Sequence, residues 1–375
     1  MVRDSVRTFV RDRVMPIIQK HYRAGTFPTE LIPEIAGLGL LGPTIQGYGG
    51  AGVSHLAYGL IMQELERGDS GVRSFASVQS GLVIHPIHTF GSDAQKERWL
   101  PGLISGELIG CFGLTEPDFG SNPSGMRTTA RKDGDGYVLN GTKRWITNGN
   151  LSHLAVVFAK VEGEGTPEKP HIGAFVVERG TDGFSTLEIE GKLSLRASVT
   201  SELHFEDCRI PADNRLPEAR GLKAALSCLN NARFGIAFGA LGAAKACFFE
   251  ALEYAKERVQ FDRPIAGYQL VQRKLVNMYS DIVQGELLAF RMAELKANGQ
   301  LNPAAISLGK RNNVKVALEC ARTARDILGA NGVVDDYCPM RHMNNLESVY
   351  TYEGTHDIHT LIIGQRLTGL AAFSG

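Results

Sequence analysis

Residues 137–147 read YVLNGTKRWIT, and how this run folds decides the architecture of the chain. Aromatic and β-branched residues flank Asn140-Gly141, a dipeptide typical of two-residue hairpin turns because both positions tolerate positive φ. Two short strands meeting at that turn are therefore expected. HLAVVFAKV (153–161), IGAFVVE (172–178) and SELHFEDCRI (201–210) follow with the same enrichment. A central β domain over 111–213 is the consequence. On either side the period changes to 3.6. VRTFVRDRVMPII and LAYGLIMQELE belong to an N-terminal helical domain, 1–110, and long runs such as IAFGALGAAKACFFEALEYAKERV and PAAISLGKRNNVKVALECARTARDIL fill 214–375. Their apolar faces are too broad for isolated surface helices, which predicts a bundle extended by contacts between copies. Helices, then strands, then a bundle make an α+β protein.

The 375 residues exceed the size at which a single core stops growing. Forty basic side chains balance forty acidic ones, leaving no bulk charge to hold a nucleic acid or an anionic membrane. Six cysteines without a C-x-x-C pair suggest neither a zinc site nor a disulfide framework. No run reads as the roughly 18–20 apolar residues of a membrane span. The amphipathic start carries Asp4 and Asp12, which argues against a secretory or transit segment. A bacterial cytoplasm is the expected location, with the mitochondrial matrix as the alternative if a transit peptide is missing from this sequence.

GLGLLG (37–42) satisfies G-x-G-x-x-G, but a helix-like segment precedes it and Pro43 follows, so it reads as a glycine-rich helix end. VYTYEGTHDIHT (349–360) is richer. His356 and His359 share a helix face with Asp357 nearby, yet no second donor cluster accompanies them and no metal is expected. Thr355 can instead cap a helix running to Phe373, with Asp357 at its positive end. Capping leaves Glu353 unexplained. CFGLTEPDFGSNPSGM (111–126) offers backbone N–H groups and hydroxyls that suit a phosphate or a planar heterocycle, or simply a loop. In TKRWITNG (142–149), Trp145 and Thr147 suit packing as well as ligand contact.

Taken in order, the LTEP loop, the W-I-T strand, Arg258-x-x-Phe261, LGANG (328–332) and the terminal YEGT resemble the acyl-CoA dehydrogenases over nearly the whole chain. ELERGDSGVRS, CLNNARFGIA, GKLSLRAS and YTYEGTHDIH look most like the glutaryl-CoA dehydrogenases within that family. The resemblance implies an N-terminal helical domain, a central β domain and a C-terminal four-helix bundle, in a homotetramer with FAD across a subunit interface. It implies that Glu353 removes a thioester α-proton while the β-hydride passes to flavin N5. By the same resemblance Phe112, Leu114, Thr115, Gly120 and Ser121 line one side of the flavin, and Trp145, Ile146 and Thr147 the other. Thr355 and Asp357 would also touch it. Arg258, Phe261, Gln269, Asp326, Leu328, Gly329 and Ala330 would hold the pyrophosphate and adenosine. CoA and the acyl chain would meet Ser121, Leu226, Asn230, Asn231, Arg233 and Gly354. Asp118-Phe119 departs from the small polar pair expected after LTEP.

Arg73 bears on the substrate. By spacing it can pair with Asp69 one turn earlier. By resemblance, with Ser74 beside it, it meets the distal carboxylate of glutaryl-CoA, for which a guanidinium is a charge-assisted partner. Glu66, otherwise a solvated helix carboxylate, and Tyr352 match positions associated with loss of CO2, which gives crotonyl-CoA. Electron-transfer flavoprotein would be the oxidant. The alternatives are a non-decarboxylating glutaryl-CoA or short-chain acyl-CoA dehydrogenase, and below these a non-enzymatic flavoprotein or binding module.

Overall fold

The computed structural model describes residues 1–166 and 170–372. The chain opens with helices α1 (Val2–Phe9), α2 (Met15–Ala24), α3 (Ile32–Gly37), α4 (His55–Gly68), α5 (Ser70–Ser77), α6 (His85–Phe90) and α7 (Asp93–Ser105). Widened π-helical segments, Val10–Val14 and Val78–Ile84, join α1 to α2 and α5 to α6. Each runs into a proline, Pro16 or Pro86, whose ring would crowd the carbonyl one turn back in a regular helix. A two-residue ribbon, β1 (Gln46–Gly47) with β2 (Gly50–Ala51), sits between α3 and α4.

The seven-stranded sheet contains β3 (Gly110–Gly113), β4 (Thr129–Asp133), β5 (Gly136–Thr147), β6 (Leu154–Gly165), β7 (Pro170–Glu178), β8 (Phe184–Glu188) and β9 (Thr200–Pro211). Its order is β3-β6-β4-β5-β9-β8, with β7 paired to β6. Strand period shows directly in β6. Val156 and Phe158 face the helical core, while Ala155 and Val157 face a second apolar cluster with Leu203 and Phe205.

The expected hairpin at Asn140-Gly141 is not there. Residues 136–147 form one continuous strand, and Asn140 lies opposite a bulge in β9, where Glu206 and Asp207 face it together and Asp207 takes φ 45°. Gly141 has φ 144°, and a Cβ there would lie 2.5 Å from Thr128 Oγ1. The glycine is thus required by close approach of Thr128, just before β4, rather than by a turn. The real hairpin turns at Gly134-Asp135, between Asp133 and Gly136, with Gly134 at φ 59°.

The C-terminal region is helical: α8 (Leu222–Glu257), α9 (Gln269–Ala297), α10 (Pro303–Ile327), α11 (Pro339–Thr351) and α12 (His356–Thr368). The small ribbon β10 (Val259–Gln260) and β11 (Arg263–Pro264) links α8 to α9. Contrary to the sequence reading, α8 is by length and composition apolar enough to cross a membrane. Here 72% of its most apolar window lies inside the protein, as a core helix should. It lies against α4 at backbone distance: a Cβ on Gly242 would sit 1.8 Å from the Gln63 carbonyl oxygen, and one on Gly239 2.1 Å from Glu66 Oε2. Helix α12 stops at Thr368, where Gly369 adopts φ 77°, earlier than the expected end at Phe373, which lies outside the described residues.

Candidate active site

The site forms where α11 ends and α12 begins. Tyr352 N–H donates to the Ser348 carbonyl at 2.9 Å, closing α11. The Thr355 hydroxyl accepts from Ile358 N–H at 3.1 Å, capping α12 as its sequence position suggests. Between these two ends the backbone turns left-handed, with Glu353 at φ 51° and Gly354 at φ 95°. A Cβ on Gly354 would lie 2.9 Å from His359 Nε2, so the turn closes only over glycine. Glutamate at positive φ costs about 1–3 kcal/mol, and its surroundings must over-determine it. They do. Arg233 Nε donates to the Glu353 carbonyl at 2.7 Å, and Lys310 Nζ donates to the carbonyls of Gly354 (2.9 Å), Tyr352 (3.1 Å) and Tyr350 (3.4 Å).

Glu353 Oε2 is buried without a hydrogen-bond partner among the described residues. Burial raises its pKa above the ordinary carboxylate value, and Arg73, Arg233 and Lys310 pull it back only in part. The outcome is a carboxylate of raised basicity, aimed by its backbone rather than by hydrogen bonds to its oxygens.

Arg73 and Glu66 are both buried, with Arg73 Nε donating to Glu66 Oε2 at 2.7 Å. Ser70 Oγ donates to Glu66 Oε1 at 2.9 Å. Glu66 is therefore not a solvated helix carboxylate. Nor does Arg73 pair with Asp69. Asp69 accepts from Arg341 Nη1 at 2.6 Å and Asn345 Nδ2 at 2.9 Å, and so ties α5 to α11. Arg73 Nη2 donates to the Tyr352 hydroxyl, which also lies 3.4 Å from Ser74 Oγ. Burial pushes the Tyr352 phenol up to about 12, so it stays protonated at neutral pH. Arg73, Ser74, Glu66, Tyr352 and Glu353, which come from α4, α5 and the α11–α12 turn, thus meet in one place.

Phe112, Leu114 and Ile146 are buried, while Thr115, Gly120, Ser121 and Thr147 keep access to solvent. Arg144 N–H donates to the Thr115 carbonyl at 2.8 Å, laying the loop after β3 beside the end of β5. Trp145 does not follow simple alternation: a pairing irregularity between Lys143 and Ile146 puts it at φ 64°, and the residue is 56% exposed. The departing pair Asp118-Phe119 is locally accommodated. Asp118 pairs with Arg127 at 3.3 Å, and the Phe119 ring covers Gly125, where a Cβ would meet it at 2.2 Å.

Other expected residues fall into separate groups. Arg233 is buried, with Nη1 donating to Asn230 Oδ1 at 3.3 Å, while Asn231 accepts from Lys296 at 2.7 Å and Leu226 is exposed. Arg258, Phe261 and Gln269 are exposed around the β10–β11 ribbon. Asp326, paired with Lys274, leads into buried Leu328 and exposed Gly329 and Ala330 at the end of α10. Asp357 is exposed, His356 stacks on Tyr350 at 4.4 Å, and His359 is buried with Nδ1 3.0 Å from Ser307 Oγ.

Two buried lysines escaped the sequence reading. Lys310 follows Ile306 by four residues and precedes Val314 by four, so it interrupts an apolar stripe at helical spacing, a signal that was available. Lys143 is fully buried under the loop after β3, its Nζ 2.8 Å from Glu116 Oε1.

A desolvated carboxylate on a strained turn, next in sequence to Tyr352, whose hydroxyl lies near that of Ser74, is the chemical centre of the site. Residues 1–107, 111–208 and 219–368 match, in turn, the N-terminal, middle and C-terminal domains described under acyl-CoA dehydrogenase. The short-chain specific acyl-CoA dehydrogenase, mitochondrial, of Homo sapiens is 37% identical over 369 residues, covering 98% of this chain and 89% of that protein. The chain belongs to the acyl-CoA dehydrogenase family. This acyl-CoA dehydrogenase is also similar to two crystal structures of glutaryl-CoA dehydrogenase from Mycobacterium smegmatis, each covering all of this chain and 95% of the other. One is 55% identical with a TM-score of 0.96; the other, in complex with FADH2, is 51% identical with a TM-score of 0.97.

Proposed function

We propose that this acyl-CoA dehydrogenase oxidises and decarboxylates glutaryl-CoA, giving crotonyl-CoA and CO2. The observation that carries the reading is Arg73, a buried guanidinium shared between Glu66 and Tyr352 and electrostatically coupled to Glu353. A substrate carboxylate brought to Arg73 gains a charge-assisted partner, whereas a monocarboxylic acyl chain brings an apolar end to a buried charge.

The cofactor is FAD. Residues here fit a flavin: the Trp145 ring projects from the sheet, Thr115 and Thr147 offer hydroxyls, and Asn148 Nδ2 is a buried donor without a partner. Phe112, Leu114, Gly120, Ser121 and Ile146 would complete the lining, Thr355 and Asp357 would meet it from α12, and Arg258, Phe261, Gln269, Asp326 and 328–330 would hold its remote phosphates and adenosine. When bound, FAD supplies the acceptor for the β-hydride.

Glu353 takes the α-proton, and its raised basicity lowers the cost of that step. The Glu353 N–H is the donor for the thioester oxygen, so negative charge develops against a fixed dipole. Loss of CO2 then leaves an electron pair that delocalises into the same carbonyl, and a proton returned to carbon completes crotonyl-CoA. Tyr352, held protonated, and Glu66 set the charge beside the leaving carboxylate. Ser121, Leu226, Asn230, Asn231, Arg233 and Gly354 would hold CoA and the thioester. Domain limits of 1–110, 111–213 and 214–375, a homotetramer, a cytoplasmic setting and electron-transfer flavoprotein as oxidant belong to the same proposal.

A short-chain acyl-CoA substrate is the second reading, and Glu66 favours it, because that carboxylate already neutralises Arg73. Anaerobic mixing of the FAD-loaded protein with glutaryl-CoA and with butyryl-CoA separates the two. Faster flavin bleaching by glutaryl-CoA, with CO2 released once an electron acceptor is added, is expected. Faster bleaching by butyryl-CoA would overturn the proposal.

A further inference from the structure

We propose that Lys310 is a positioning residue for Glu353: its buried ammonium gathers three carbonyl oxygens of the α11–α12 turn and so sets where the carboxylate points. This rests on reading Glu353 as the base.

Lys310 is 1% exposed and comes from the middle of α10, 43 residues before Glu353. An ammonium has three donors and no acceptor, and here three carbonyls face it, at 2.9, 3.1 and 3.4 Å. Two of these, from Tyr350 and Tyr352, lie at the C-terminal end of α11, where carbonyls lack intrahelical partners and the helix dipole is negative. The third, from Gly354, lies on the far side of Glu353. The lysine therefore grips the chain before and after the base. Arg233 holds only the Glu353 carbonyl itself. The left-handed φ of Glu353 makes such a grip necessary, since a glutamate released from it would relax toward negative φ and swing its side chain away. Burial, offset only in part by Glu353, lowers the Lys310 pKa to about 7, a cost that the three carbonyl acceptors help to offset.

Lys310→Met keeps length and apolar bulk but removes every donor. In the FAD-loaded protein, kcat for glutaryl-CoA should fall about 100-fold, the scale of a misplaced reacting group, with KM changed by less than about threefold. Amide hydrogen exchange across residues 351–355 should quicken in the same variant, whether or not substrate is present. Lys310→Arg, which retains donors, should recover part of both. An unchanged kcat, unchanged exchange, or a KM that rises as much as kcat falls would overturn the assignment. So would failure of both variants to yield soluble, FAD-binding protein, because Lys310 would then be a requirement of folding. Glu353→Gln distinguishes the two readings. If it retains turnover, the base lies elsewhere; if it abolishes turnover while Lys310→Met leaves kcat intact, only the role of Lys310 falls.

Discussion

Two of the buried ion pairs in this molecule are built to different ends. Under the loop after β3, Glu116 accepts from Lys143 Nζ at 2.8 Å, from Thr128 N at 2.9 Å and Oγ1 at 2.6 Å, and from Arg127 N at 2.5 Å. Both of its oxygens are engaged by protein, and Lys143 donates its remaining reach to the Leu114 carbonyl at 3.2 Å. Such a closed pair can only hold the loop that carries Thr115. Beneath the α11–α12 turn, Arg73 and Glu66 form the other pair, but Arg73 also reaches Tyr352 and acts on Glu353, whose Oε2 has no partner among the described residues. A pair that leaves a reactive group unsatisfied is open to a ligand. Satisfaction, more than burial or charge, separates scaffold from site.

The largest effect should come from the unsatisfied group. Glu353→Gln should retain FAD and reduce the rate of flavin bleaching by glutaryl-CoA at least about 10²–10⁴-fold, the usual contribution of a general base. Next, Arg73→Ala and Lys143→Met should each cost about 3–5 kcal/mol in urea unfolding, because each leaves a carboxylate buried without its cation. Their kinetics should part company. Arg73→Ala should raise KM for glutaryl-CoA by about 10–100-fold and that for butyryl-CoA far less, whereas Lys143→Met should affect both substrates equally. Adding Glu116→Gln to Lys143→Met should restore most of the stability. Equal substrate effects in the Arg73 variant would make the open pair merely structural.

A smaller effect concerns pH. The folded pKa of Glu353 lies above its ordinary 4.5, so the fold prefers the protonated form. Stability from keeping it neutral is complete below pH 4.5 and is lost as pH rises through the folded value. Glu353→Gln should therefore melt about 1–3 °C above the unaltered protein at neutral pH, and the gap should close toward pH 4. Bleaching by the unaltered protein should rise over the same window, as the base ionises. Smallest of all, Asp118→Ala removes only an exposed pair with Arg127 and should shift stability by less than about 0.5 kcal/mol.

Periodicity was enough to read helices, strands and helices in order, because burial imposes a 3.6-residue or a two-residue repeat on any sequence that folds this way. Asn140-Gly141 misled for a reason of the same physics: a glycine permits positive φ in a turn and also permits a neighbour to press close, and only tertiary structure shows Thr128 pressing. Glu353 was legible as the residue capping could not explain. Glu66 was misjudged as solvated because its helix, α4, is buried on the side facing α8, where glycines replace the side chains that would have signalled a core contact. The pairing of Arg73 with Glu66 rather than Asp69 was hidden because Arg341, 272 residues away in sequence, claims Asp69.

Gly239 carries no charge, touches no proton and would escape any search for functional side chains. A methyl group at that position would occupy the space of Glu66 Oε2, 2.1 Å away, and would stand 3.3 Å from Arg73 Nε. If Arg73 selects the acyl group as proposed, that choice is written partly in an absence of atoms on α8. On that reading, a lineage could lose its preference for one substrate through a single hydrogen-to-methyl change at a residue that carries no functional group.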